Sequence, residues 1–211
     1  MGKLIILSGP SGVGKTSLAR ALARTGEFAL GLEEHAGRPF QELASLDPRY
    51  VLANQIDYLL LRAEQERVLR LGPQPGLVDG GLDLDFQVFT RLFHERGWLD
   101  PAEFALCERF YRFCRVELPL PDLVIHLMAA PETIRQRLAG RQRINLANAE
   151  DAARSQTLLD EWLASLPAER VLRLDVSSAT PDYAELLTSL IPRLRRQLGL
   201  EAGTYETGYI P

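Results

Sequence analysis

Lys3-Leu4-Ile5-Ile6-Leu7-Ser8 runs directly into Gly9-Pro10-Ser11-Gly12-Val13-Gly14-Lys15-Thr16, a short apolar strand entering the pattern G-x-x-x-x-G-K-[ST]. That pattern demands one local structure, a strand, a tight glycine-rich turn and a helix, known as a P-loop. Glycines at 9, 12 and 14 let the backbone curl so that successive N–H groups point inward. The first turn of the helix adds its unpaired amides and the positive end of its dipole. Gly9, Ser11, Gly12, Val13, Gly14, Lys15 and Thr16 are therefore the candidate cradle for a nucleotide phosphate chain. Lys15 is placed to reach the β- and γ-phosphates, and the Thr16 hydroxyl to sit on Mg²⁺. The context agrees, since Leu18, Ala21 and Leu22 share one face of the helical pattern that follows. Composition agrees too. Of the 24 Lys and Arg residues only Lys3 and Lys15 are lysines, so a lysine at 15 marks a site that needs a compact point charge rather than a planar fork.

With 211 residues, 46% of them hydrophobic, the chain suits a single α/β domain over residues 1–198, with an irregular tail from 199 to 211. A net charge of −4 and a pI near 5.5 argue against a nucleic-acid groove. No apolar run approaches the ~20 residues of a membrane span, and no basic segment precedes the first one, so a cytoplasmic protein is expected. Cys107 and Cys114 lie seven apart in one helical pattern, too far along the axis to bridge, and read as packing residues.

Strands alternate with helices along the chain. Residues 27–32 read as a second strand ending at Glu33-Glu34, followed by a Gly- and Pro-containing loop to Asp47-Pro48. A long helix runs from Pro48 to about Leu71. Leu77-Val78-Asp79 is a third strand, Asp85 to Glu95 a helix, and Asp100-Pro101-Ala102-Glu103 the capped start of another. Leu123 to Met128 is a near-continuous apolar strand of the kind buried in a parallel sheet. Helices from Pro131 and from Asp151 to Leu166, a fifth strand at 170–176, and a last helix capped by Thr180-Pro181 and running to Leu198 complete the pattern. The expected fold is α/β, a P-loop NTPase with a doubly wound five-stranded parallel sheet and helices on both faces. Its ligand belongs at the carboxyl ends of the strands.

Glu33, Glu34 and Asp79 fall at such strand ends. Phosphoryl transfer asks for one carboxylate to hold Mg²⁺ and another to take the proton of the attacking hydroxyl, while arginines neutralise the transferring group. Asp79 is the candidate for the metal, with Thr16. Glu33 is the candidate base. Arg141 and Arg143, beside Arg135 and Arg137, are the candidates for a lid over about 140–148. His35, His94 and His126 lack partners at metal-ligand spacing and read as structural, as Trp98 and Trp162 read as packing.

Several stretches together resemble the deoxynucleoside kinases, dimeric P-loop enzymes that phosphorylate the 5′-hydroxyl of deoxynucleosides. Glu33-Glu34-His35-Ala36-Gly37-Arg38-Pro39-Phe40 is similar to the Glu-containing loop after the second strand of bacterial members, and Asp47-Pro48 with Gln55 and Arg62 to their substrate helix. Val78-Asp79 and Asp85 stand at the spacing of the family's acidic-Arg-Ser motif and its downstream Asp, and Arg141-Gln142-Arg143 resembles the lid's Arg-x-Arg. Gln55 and Arg62 are seven apart and share a helix face. The resemblance implies that Gln55, Arg62 and Asp85 read the base, in the combination found with purine or cytosine substrates. It also implies ATP and Mg²⁺ as cofactors, a nucleoside substrate and a homodimer. Gly80 and Gly81 stand where the family has Arg and Ser, Asn145 or Leu146 where it has the lid acid, and Ser45 near its sugar-contacting Tyr, for which Tyr50 is the substitute in this chain.

The expected activity is thus ATP- and Mg²⁺-dependent phosphorylation of a deoxynucleoside. The alternatives are a kinase of another small alcohol or of a nucleoside monophosphate, and a nucleotide-binding regulatory module whose substrate site has decayed. The helix from Pro101 to Val116 carries Phe104, Leu106, Cys107, Phe110, Tyr111, Phe113 and Cys114, more apolar surface than one core-facing stripe needs, which also predicts a homodimer.

Overall fold

The computed structural model describes residues 1–31, 38–138 and 151–200. Strands β1 (Leu4–Ser8), β2 (Ala29–Gly31), β3 (Gly76–Asp79), β4 (Leu123–Met128) and β5 (Val171–Asp175) form one sheet in the order β2-β3-β1-β4-β5. Every pairing is parallel. Parallel neighbours require crossovers. Helix α1 (Lys15–Ala23) joins β1 to β2, and α2 (Pro39–Leu46) and α3 (Val51–Leu71) lie between β2 and β3. Between β3 and β4 come α4 (Leu82–Leu84), a π-helical stretch (Asp85–Thr90), α5 (Arg91–Glu95) and α6 (Pro101–Glu117). Helices α7 (Pro131–Leu138) and α8 (Ala152–Ser165) precede β5, and α9 (Ala184–Leu198) follows it. The expected doubly wound α/β sheet is the one observed, with the winding reversing at β1.

Strand alternation divides the core. Ile5, Leu7, Leu77, Ile125 and Leu127 are buried on one face with Leu18 and Leu22 of α1 and Leu190 and Leu194 of α9. Ile6 and Val124 point to the other, where Leu59, Phe86, Phe93, Cys107 and Trp162 come from α3, the π-helical stretch, α5, α6 and α8. Leu4 through Leu7 are 0% exposed, as a central strand covered on both sides must be. Both cysteines are free and buried. The α6 cap is a full capping box, with Glu103 N donating to Asp100 Oδ1 at 2.8 Å and Asp100 N to Glu103 Oε2 at 2.9 Å.

Three local expectations need correction. Residues 39–46, expected as loop, form α2, which starts with Pro39 in its first turn and carries Glu42 near its positive end. Only Ala44 of this helix is buried, although Phe40, Leu43 and Ala44 stand at helical spacing. The helix expected from Asp85 begins at Leu82 and passes through the π-helical stretch. The last helix begins at Ala184 rather than at the Thr180-Pro181 turn, because Tyr183 at φ 58° is left-handed and interrupts any earlier helix. Among the described residues no helix is long and apolar enough to cross a membrane.

Candidate active site

The parallel register sets Leu7 beside Asp79 and Ser8 beside His126, so β1, β3 and β4 end together around the turn at 9–14. Gly9, Gly12 and Gly14 all have positive φ. Gly14 is constrained most: its φ is 111°, and a Cβ there would lie 2.1 Å from the Tyr183 hydroxyl. That hydroxyl donates to Gly14 O at 3.3 Å, and burial pushes its pKa up. Arg137 of α7 donates to Val13 O at 2.7 Å and to Val176 O at 3.0 Å, tying the loop to the segment after β5. The turn is thus held from outside by two side chains that local sequence gives no reason to place there.

Lys15 begins α1 and donates to Gly9 O at 2.8 Å and Pro10 O at 3.1 Å, so its ammonium lies over the turn, where a phosphate chain bound by the loop amides belongs. The Thr16 hydroxyl donates to Asp79 Oδ2. Asp79 Oδ1 is buried and accepts no hydrogen bond from any described residue. A buried carboxylate oxygen without a partner is costly. Beside a threonine hydroxyl it is the hard oxygen donor that Mg²⁺ takes, so the residues present fit that ion. His126 and Ser8 pair behind this centre, Oγ to Nδ1, at 3.3 Å. The His126 ring is buried, which pulls its pKa down, and no role beyond packing is evident, as expected. His94 contacts Leu99 O through Nδ1 at 2.9 Å and stacks on Phe104, likewise structural.

Next to the phosphate turn, α3 and the π-helical stretch bring together the three residues expected to read a base. Arg62 Nε donates to Asp85 Oδ2 at 2.7 Å, and Gln55 Nε2 to Asp85 O at 3.1 Å. Thr90 Oγ1 also donates to Asp85 O, at 3.0 Å, across the five-residue step of a π-turn. The irregular turn thus leaves a carbonyl that side chains satisfy, and it holds Asp85 against α3. Gly80, at φ 89°, makes room: a Cβ there would stand 2.8 Å from Arg62 Nη2. Position 80, where the family resemblance implied an Arg, is a left-handed glycine covered by the guanidinium of Arg62.

Tyr58, between Gln55 and Arg62 on the same face, donates to Gln41 Oε1 at 2.9 Å. Tyr50, the expected sugar-contacting substitute, packs instead against the core. Its neighbour Arg49 lies over its ring. The spacing of Tyr58 could have singled it out, three residues after Gln55 and four before Arg62; Gln41 lies on the short helix α2. Arg38 donates to both carboxylate oxygens of Asp57 at 3.1 Å. Arg135 pairs with Glu132 on the surface of α7, so of the two arginines set beside the expected lid, one supports the phosphate turn and the other is solvated. Glu33, Glu34, His35, Arg141, Arg143, Asn145 and Leu146 lie outside the described residues.

The geometry supplies a phosphate cradle with a cation over it, a metal-fitting carboxylate and hydroxyl, and beside them a buried amide, guanidinium and carboxylate. Such an arrangement can align a triphosphate and a planar polar molecule for transfer between them.

Known proteins match this description. The family model for deoxynucleoside kinase matches residues 5–178. A deoxyadenosine kinase from Dictyostelium discoideum is 31% identical over 144 residues, which are 67% of this chain and 58% of that protein, so the match spans less than two thirds of its length. A deoxyadenosine/deoxycytidine kinase from Bacillus subtilis is 24% identical over 178 residues, 82% of each chain. In fold, the chain resembles a deoxyadenosine kinase from M. mycoides, solved with the products dCMP and a flexible dCDP bound, with a TM-score of 0.73 and 20% identity over 90% of this chain and 99% of that one. A match over residues 5–178, reaching from the first strand past the last, makes this chain a member of the deoxynucleoside kinase family.

Proposed function

We propose that the protein transfers the γ-phosphoryl group of ATP to the 5′-hydroxyl of a deoxynucleoside with a purine or cytosine base. The observation that carries this reading is that Gly80, next to Asp79 of the Thr16–Asp79 pair, lies against the guanidinium of Arg62 in the buried Gln55–Arg62–Asp85 cluster. The loop amides and Lys15 bind the β- and γ-phosphates. Thr16 and Asp79 would hold Mg²⁺, which would draw charge off the phosphates when bound. Glu33 takes the proton as the 5′-oxygen bonds to the γ-phosphorus and the bond to the β–γ bridging oxygen breaks, releasing ADP. Arg141 and Arg143, in the segment at about 140–148, neutralise the phosphoryl oxygens in flight. Gln55 and the Arg62–Asp85 pair offer donors and acceptors to one edge of the base. Residues 1–198 act as one kinase domain in the cytoplasm, and two copies associate.

A panel of deoxynucleosides incubated with ATP and Mg²⁺ tests this directly. Transfer of labelled phosphate to a purine or cytosine deoxynucleoside is the expected result. Transfer only to a nucleoside monophosphate or another alcohol, or none at all, overturns it. Within the same assay, Glu33→Gln keeps shape and removes basicity, so it depresses turnover with ATP affinity kept. Glu34→Gln is expected to have the smaller effect.

A further inference from the structure

Behind the base-reading cluster lies a second set of charges, in which two buried carboxylates meet one largely buried guanidinium. Arg115 of α6 donates from Nη1 and Nη2 to the two carboxylate oxygens of Glu66, each at 2.9 Å, and from Nε and Nη2 to those of Asp83, at 3.0 and 2.8 Å. Tyr111, one turn earlier, donates to Asp83 Oδ1 at 2.6 Å. Glu66 and Asp83 are 0% exposed. One guanidinium fork therefore serves two carboxylates that come from different parts of the chain.

What those carboxylates adjoin gives the arrangement its meaning. Glu66 stands one turn beyond Arg62 on α3, and Asp83 stands two residues before Asp85. Phe86, next to Asp85, stacks on Tyr111 with ring centroids 4.3 Å apart and planes within 6°. Both partners of the Arg62–Asp85 pair are thus flanked by groups that α6 grips. Burial pushes Glu66 up in pKa against the opposing pull of Arg115. Arg115 itself loses to burial but gains more from Asp83 and Glu66, and its pKa rises. A buried cluster with two carboxylates on one guanidinium is a poor device for stability alone, since apolar residues of the same volume commonly do as well or better.

We propose that Arg115 is a positioning residue for nucleoside recognition: by clamping Glu66 and Asp83 together it fixes the register between α3 and the turn after β3, and so the geometry with which Arg62 and Asp85 meet the base. The proposal rests on the nucleoside kinase reading above and adds a chain-specific control of its specificity. The guanidinium of Arg115 is engaged by Glu66 and Asp83, and the phosphate turn lies on other elements, so the effect belongs to the nucleoside and not to ATP.

Arg115→Lys keeps the charge and loses the fork. Misplacement of binding groups by a fraction of an ångström to 1 Å costs up to about 10²-fold, so the KM for the nucleoside is expected to rise ~10-fold or more. The KM for ATP stays within about twofold, and discrimination between purine and pyrimidine deoxynucleosides narrows. Tyr111→Phe removes one hydrogen bond to Asp83 with every charge in place, folds under milder perturbation, and shows a smaller shift in the same direction. Nucleoside KM values unmoved in both variants, or ATP and nucleoside KM values rising together, overturn the positioning role. Failure of the unaltered protein to phosphorylate any nucleoside overturns the functional reading, and this proposal with it.

Discussion

Arg62 and Asp85 form an ion pair at 2.7 Å in which neither residue is more than 5% exposed. Removing Asp85 takes the facing carboxylate away from a guanidinium that is only 1% exposed. Asp85→Ala is therefore expected to destabilise the protein by about 3–5 kcal/mol, read from the urea midpoint. Replacing both members with apolar residues, Arg62→Met with Asp85→Leu, recovers much of that loss and abolishes nucleoside turnover. A single and a double variant of equal stability would show that the pair is not desolvated as described.

The extent to which this site could be read from the chain follows from the distances over which its parts are encoded. The P-loop, Asp79 at a strand end and the Gln55–Arg62 face are local patterns, and the structure brings them together as expected. The centre of the sheet was legible for the same reason, because β1, β3 and β4 are short, largely apolar runs with glycine, proline or aspartate at or beside an end. The supports of the site are encoded at long range. Tyr183 reaches Gly14 across 169 residues, Arg137 reaches Val13 across 124, and Arg115 reaches Glu66 and Asp83 across 49 and 32. No window along the sequence holds both partners. Helix α2 escaped for a different reason: its apolar pattern, Phe40, Leu43 and Ala44, spans little more than one turn between two prolines.

The His126 ring makes stability depend on pH in a definite direction. Burial pulls its pKa below the ordinary value, Arg173 and Lys15 add to that, and Asp160 opposes it. The folded protein therefore binds fewer protons here than the unfolded chain, and stability rises with pH. The contribution is present above about pH 6.5, the ordinary histidine value, and is lost as pH falls below it. Denaturation midpoints should drop between about pH 7 and 5.5, ahead of the carboxylates Asp122 and Glu95, whose lowered values put their losses at more acid pH. His126→Asn should flatten the slope in that window; an unchanged slope would assign it to another group.

Phe113 and Val116 on α6 are 67% and 81% exposed, and Leu60, Val68 and Leu71 on the neighbouring α3 are 45%, 65% and 78% exposed. Apolar side chains concentrated on two packed helices fit a self-complementary surface. Sedimentation at micromolar concentration is expected to give twice the chain mass, and Phe113→Glu with Val116→Glu to give the monomer. A monomer in the unaltered protein would assign these residues to some other contact.

Lys15 lies over the Gly9 and Pro10 carbonyls and Asp79 against the Thr16 hydroxyl, and their substitution should fail in different ways. Lys15→Ala removes the cation held over the Gly9 and Pro10 carbonyls and disturbs no core contact, so the fold persists while phosphoryl transfer falls by about 10²-fold or more. Added Mg²⁺ does not restore it, because the lost charge acts on the phosphates and not through the metal. Asp79→Asn keeps an acceptor for the Thr16 hydroxyl but removes the negative charge from the buried oxygen that has no other described partner. Its turnover should fall at low Mg²⁺ and recover in part as Mg²⁺ is raised, with the half-saturating concentration increased ~10-fold or more. Mg²⁺ titrations of the two variants separate the roles. Rescue of Lys15→Ala by metal, or identical Mg²⁺ curves for Asp79→Asn and the unaltered protein, would show that the assignment of cation and metal ligand is wrong.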